Sequence, residues 1–221
     1  MKIDDTPQSG RLGPRVTWMG RNGLVSRSFV TPRDPRTERQ LESRRVMTEQ
    51  ARRFAELTDA QIDAWNTAAA GYLSTPRQGQ SGPLTGLQLF IQVNCKLCLL
   101  GLEPLDTPPP PPKFPELAPQ SLVISNTGGS IALKLTCLGE PGEHTVLRAS
   151  KPQSPGVGSC QGFRIVGLCP PPVAGWADIT ALYTAQFGPP PVGKRIFVRA
   201  SAMVSGLEGP TREFRARVPA P

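Results

Sequence analysis

The chain has a single histidine, His144, among 221 residues. Acid–base catalysis near neutral pH draws on histidine more than on any other side chain, or on carboxylates paired in a pocket. The local motifs that seat a nucleophile, a phosphate or a catalytic zinc are also missing: there is no G-x-S-x-G, Walker A loop, H-E-x-x-H or G-x-G-x-x-G. No stretch approaches the roughly 20 apolar residues of a membrane helix. The start, Met1-Lys2-Ile3-Asp4-Asp5, lacks the apolar core of a cleavable signal peptide. Lysine is absent from residues 11–53, although that stretch holds eleven arginines against four acidic residues, a local +7. These absences point away from an enzyme, a cofactor and a membrane span.

The five cysteines are Cys95, Cys98, Cys137, Cys160 and Cys169, an odd number that argues against a complete disulfide framework. Cys95-Lys96-Leu97-Cys98 has the C-x-x-C form but no second pair. With one histidine in the chain, a four-ligand zinc site would have to borrow from the other half. The pair lies in an apolar helical run, where cysteine behaves as a small hydrophobe. Core packing is the expected role, with redox and metal binding as alternatives. Cys160 and Cys169 are placed to sit on neighbouring strands, but spacing alone does not establish a bridge.

Five consecutive prolines, 108–112, with Pro115 just after, divide the chain. Consecutive prolines fix φ and donate no backbone hydrogen bonds, which predicts a stiff polyproline II spacer. The expected organisation is α+β and multidomain. An N-terminal arm with a β-hairpin (1–36) precedes a three-helix domain (37–106), then a proline-rich linker (107–119) and an antiparallel β-sandwich (120–221). The two halves are expected to fold independently, each having room for its own core.

The hairpin is read from apolar runs at Arg15–Met19 and Leu24–Val30 around Gly20-Arg21-Asn22-Gly23, since Asn-Gly favours a type I′ turn. Three T-x-x-Q sequences begin at Thr37, Thr58 and Thr85, each the signature of a capping box. Behind them, Leu41, Met47, Ala51 and Phe54 mark one helix face. Ile62, Trp65, Ala69 and Tyr72 mark a second, and Leu87, Phe90, Ile91, Asn94 and Cys98 a third. Beyond the prolines, seven short strands are predicted: 121–125, 130–137, 145–149, 163–168, 179–187, 195–203 and 212–218. Seven strands at this spacing suggest a sandwich.

The stretch Gly193-Lys194-Arg195-Ile196-Phe197-Val198-Arg199-Ala200, followed by Gly206-Leu207-Glu208-Gly209-Pro210, is similar to the late hairpin of fibronectin type III and immunoglobulin-like modules. In the first half, several groups of residues together resemble a group of uncharacterised bacterial and phage-associated proteins. They are Gly10-Arg11-Leu12-Gly13, Pro32-Arg33-Asp34-Pro35-Arg36-Thr37 with Gln40 and Arg44, Leu57-Thr58-Asp59-Ala60-Gln61 with Trp65, and Gly86 with Leu89-Phe90 and Asn94. That resemblance implies an N-terminal hairpin and helical segment joined to an Ig-like domain, and no site residues.

The function expected from these features is a non-enzymatic structural subunit that assembles with itself and with other structural proteins, as a virion component or an extracellular filament or surface-layer protein. A hairpin with few partners in its own chain offers strand edges to a neighbour. Arginine, preferred to lysine in planar ion pairs, suits a protein contact surface. The expected interface residues are Arg15, Trp18, Arg21, Arg27, Phe29, Arg33 and Arg36, the last two of the arginines paired to acids of a neighbour. One alternative is a DNA-binding architectural protein with an HMG-like helical domain. Against it, Arg39, Arg45, Arg52 and Arg53 are interleaved with Glu38, Glu42, Glu49 and Glu56, which read as helical ion pairs. The other alternative is an adhesion module for a protein or glycan.

Overall fold

The computed structural model describes residues 10–20, 23–31, 34, 36–74, 81–138 and 144–221. Among them are four helices and three antiparallel sheets. The first sheet joins β1 (Gly10–Leu12), β2 (Arg15–Gly20) and β3 (Gly23–Ser28) in that order, with Trp18 opposite Val25 and Met19 opposite Leu24. The turn residues Arg21 and Asn22 lie outside the described residues. β1 extends the expected hairpin to three strands.

Helices α1 (Glu38–Ala55), α2 (Asp59–Ala69) and α3 (Gly86–Leu99) follow, each directly after a threonine of the T-x-x-Q spacing. The Thr58 hydroxyl accepts from the Gln61 N–H (3.4 Å), and the Gln61 amide oxygen accepts from the Thr58 N–H (3.0 Å). Thr85 and Gln88 repeat the exchange at 3.3 and 2.9 Å, while Thr37 shows the glutamine arm at 3.2 Å. These bonds satisfy amides that the first turn of a helix leaves free.

The remaining strands are β4 (Pro119–Thr127), β5 (Ser130–Cys137), β6 (His144–Ser150), β7 (Phe163–Leu168), β8 (Trp176–Asp178), β9 (Arg195–Val204) and β10 (Leu207–Arg217). They form two sheets, ordered β4-β5-β8 and β10-β9-β6-β7. The segment expected as a strand over 179–187 is instead helix α4 (Thr180–Phe187). Ile179, Tyr183 and Phe187 recur every four residues, a spacing that fits period 2 and the helical period equally. Local capping decides between them: Asp178 Oδ1 accepts from the Thr180 N–H (2.9 Å), and the chain leaves the helix through Gly188. Tyr183 is fully buried, its hydroxyl donating to the Ser150 carbonyl (3.2 Å).

The four-stranded sheet is the middle of three layers. Leu147, Ala149, Ile196, Val198, Ala200 and Phe214 face one way, onto Leu122, Ile124, Leu133 and Leu135 of the three-stranded sheet. Val146, Met203 and Leu207 face the other way, onto Trp65, Ala69, Leu89, Phe90, Val93 and Leu97 of α2 and α3. Having both faces covered, β6 and β9 are buried almost throughout rather than on alternate residues, with Thr145, Ser150 and Ser201 among the buried positions. Trp65 and Phe54 each set an aromatic ring edge-on to Phe90, at 5.1 and 5.2 Å.

Two expected helix faces are rotated by this packing. In α1, Leu41 and Met47 are exposed and the buried residue is Gln50, because only the C-terminal half of the helix meets α3. In α3, Leu87 is exposed, while Leu89, Val93 and Leu97 are buried beside Phe90 and Asn94. The extra buried stripe is the one that meets the sheet.

The proline stretch is expected to hold the halves apart, but the residues on either side of it lie against both. Asn94 exchanges two hydrogen bonds with the backbone of Leu105 (2.7 and 2.9 Å), and the Trp65 indole donates to the Asp106 carbonyl (2.9 Å). Beyond the prolines, Phe114 packs into the helix–sheet cluster. It sits so close over Gly209 that a Cβ there would lie 2.5 Å from the ring. The β9–β10 hairpin approaches α3 as closely: Ser205 (φ 49°) and Gly206 (φ 80°) make the left-handed turn, and a Cβ on Gly206 would lie 2.8 Å from Val93 Cγ1.

Candidate functional site

Five of the seven expected interface residues lie in the described part of the chain, Arg15, Trp18 and Arg27 on the N-terminal sheet, Phe29 just after it and Arg36 beyond; Arg21 and Arg33 lie outside the described residues. Period-2 alternation sorts them by face. Arg11, Val16, Trp18, Val25 and Arg27 share one face by register, and Phe29 continues it. There the Arg11 guanidinium lies 3.7 Å from the centroid of Phe29, and Arg27 lies 5.5 Å from that of Trp18. Cations stacked on aromatic rings hold the strands together without a core. The opposite face carries Leu12, Arg15, Thr17, Met19 and Leu24. Leu12, Met19 and Leu24 are 80, 60 and 52 % exposed. Among the described residues, the three strands make their extensive contacts only with one another.

Arg36 stands apart from the sheet, its backbone left-handed (φ 46°) and its N–H donating to Asp34 Oδ1 (3.2 Å). Asp34 also takes both arms of Arg44, at 2.8 and 3.1 Å. Those hydrogen bonds, Arg44 first and then the Arg36 N–H, hold the Asp34 carboxyl below its ordinary value. The acid next to Arg36 is therefore bound within the chain, and the bidentate pair ties the arm to α1.

Alongside α1 runs an open groove of about 990 Å³, walled by Arg44, Arg45, Arg52, Arg53, Cys98 and Pro104. Arg53 is committed to Asp106 (2.9 Å). Gln50 donates to Cys98 Sγ (3.4 Å), and its Oε1 has no partner among the described residues. Among the described residues, the glutamates interleaved with the α1 arginines form no ion pairs; Arg44 and Arg53 reach Asp34 and Asp106 instead. The groove offers guanidinium donors suited to carboxylates.

A polar cluster missed in the sequence joins helix and sheet layers. Arg148 of β6 grips Glu208 of β10 through two bonds (2.6 and 2.7 Å), Lys96 of α3 reaches the same carboxylate (2.9 Å), and Ser201 donates to it (3.2 Å). Burial alone would raise the Glu208 carboxyl, but the bonds and charges of Arg148 and Lys96 outweigh it and hold it at about 2. Next to it, Arg199 binds Glu213 (2.8 Å) and stacks 3.9 Å from the centroid of Phe163. The partners lie 52 to 112 residues from Lys96 in the chain, so no local signal announces them. All oxygens of Glu208 are engaged, which makes the cluster a latch between layers rather than a vacant site.

Among the described residues, no group of three His, Cys, Asp or Glu side chains is placed to hold a metal ion, and no helix is long and apolar enough to cross a membrane. Cys95 and Cys98 sit on α3, both partly buried. No family model, curated protein or solved structure matches the chain.

Proposed function

We propose that the protein is a non-enzymatic structural subunit that self-assembles through its N-terminal arm, as a virion component or a subunit of an extracellular filament or surface layer. The observation that carries this reading is the three-stranded sheet whose extensive contacts, among the described residues, are between its own strands, with Leu12, Met19 and Leu24 open to solvent. A small sheet of this kind gains stability by burying a face or pairing an edge. A second copy of the chain supplies both, by strand addition at β1 or β3. The exposed Leu41 and Met47 of α1 offer further apolar surface, and Arg45 and Arg52 supply donors for a neighbour's acids. The two sheets packed face to face over residues 119–217 support an Ig- or fibronectin III-like body.

Light scattering coupled to size exclusion tests the reading. The full chain should form dimers or larger species at high concentration, and a variant lacking residues 1–30 should remain a folded monomer. A full-length monomer at every concentration overturns it. If that monomer binds duplex DNA with a steep salt dependence, the architectural DNA-binding reading takes its place.

A further inference from the structure

We infer that Cys137 and Cys169 form a disulfide that ties the two sheets of the body together under oxidising conditions. Cys137 is the last residue of β5 in the three-stranded sheet, and Cys169 directly follows β7 at the edge of the four-stranded sheet. Both side chains pack on the core cluster between those sheets. The two thiols are neighbours, the Cys169 thiol oriented towards Cys137, and Cys137 in turn points its hydrogen at the Leu135 carbonyl (3.8 Å). The backbone holds each in place, Cys137 N–H donating to Gly175 (2.9 Å) and Cys169 N–H to Thr145 (2.7 Å). Held on facing sheets against one core, the two sulfurs form the bridge by closing to the roughly 2.05 Å of a bond. The structure thus brings Cys169 to Cys137 rather than to Cys160, which lies in the loop before β7.

The oxidant is a small disulfide such as oxidised glutathione. The Cys137 thiolate attacks one of its sulfurs, forming a mixed disulfide and releasing one glutathione thiolate. The Cys169 thiolate then attacks Cys137 Sγ and releases the second. The protein loses two electrons and two protons, and glutathione gains them as two thiols. Burial pushes the Cys169 thiol up to about 12, so its thiolate is scarce and closure in the folded protein is slow. Closure during refolding escapes that restraint.

The full chain is incubated in reduced or in oxidised glutathione, both as folded protein and during refolding, then denatured in an alkylating reagent and weighed. Five alkylated thiols are expected after reduction and three after oxidative refolding, with peptide mapping joining Cys137 to Cys169. The bridge closes a loop of about 30 residues, and the oxidised form should melt about 5–10 °C higher than the reduced one. Cys137→Ser and Cys169→Ser should each abolish that shift, while Cys160→Ser should leave it intact. Five free thiols after oxidative refolding, a map joining Cys169 to Cys160, or a bridge that leaves the melting temperature unmoved each overturns the inference. The outcome does not depend on whether the protein assembles.

Discussion

Replacing Glu208 with glutamine keeps the side chain's shape and removes the charge at the centre of the latch. In the folded chain the carboxyl titrates at about 2, against an ordinary value of 4.5, and its side chain is only 17 % exposed. At 1.36 kcal/mol per unit, that difference amounts to about 3 kcal/mol of stability. A carboxyl depressed on folding contributes fully above its ordinary value, and the contribution drains away as pH falls from about 5 towards 2. Glu208→Gln at pH 7 also leaves Arg148 and Lys96 facing each other without their shared counter-charge, a loss of the same order. Urea unfolding of both proteins at pH 7, 5 and 3 measures this. At pH 7 the variant should unfold at a midpoint lower by about 1–1.5 M. The gap should narrow at pH 3, and other carboxyls cancel in the comparison. A gap that is constant from pH 7 to pH 3, or no gap at all, would show that the latch does not contribute through its charge.

Gly206→Ala should cost about 2–3 kcal/mol, since the turn is left-handed and the new methyl meets Val93 of α3; a melting temperature unchanged within a degree would mean that the hairpin and helix do not pack as described. Residues 1–106 expressed alone should be helical by circular dichroism yet bind a hydrophobic dye and melt without cooperativity, because Val146, Met203 and Leu207 no longer cover Val93 and Leu97. A sharp transition in that fragment would restore independent folding of the two halves.

Local chemistry was the legible part of this chain. The T-x-x-Q spacings mark helix starts because the threonine and glutamine that make each box lie within one turn. The strands at 130–137 and 163–168 stand at the bounds read from the sequence, since turn residues flank them. Illegible were the features made by residues far apart. The buried stripe of α3 depends on a hairpin more than 100 residues away, and the Lys96–Glu208–Arg148 latch unites three elements with no shared motif. Helix α4 was hidden for another reason: its apolar spacing satisfies two periods, and Asp178, which settles the matter, looks like any other polar residue between runs. The arm was legible as a hairpin but not as a sheet, because β1 has only three residues and owes its pairing to β2.

The prolines act as a ruler rather than a spacer. Their two ends are fixed, at Asp106 by Trp65 and at Phe114 by the gap over Gly209. Between those fixed points the five consecutive rings have no slack to take up, since each residue of such a chain advances about 3.1 Å and cannot shorten by coiling. Losing or gaining a single proline would displace Phe114 by most of a ring's width from the hollow that receives it. An ordinary loop absorbs such a change in length, whereas a run of prolines passes it on to the residue at its end.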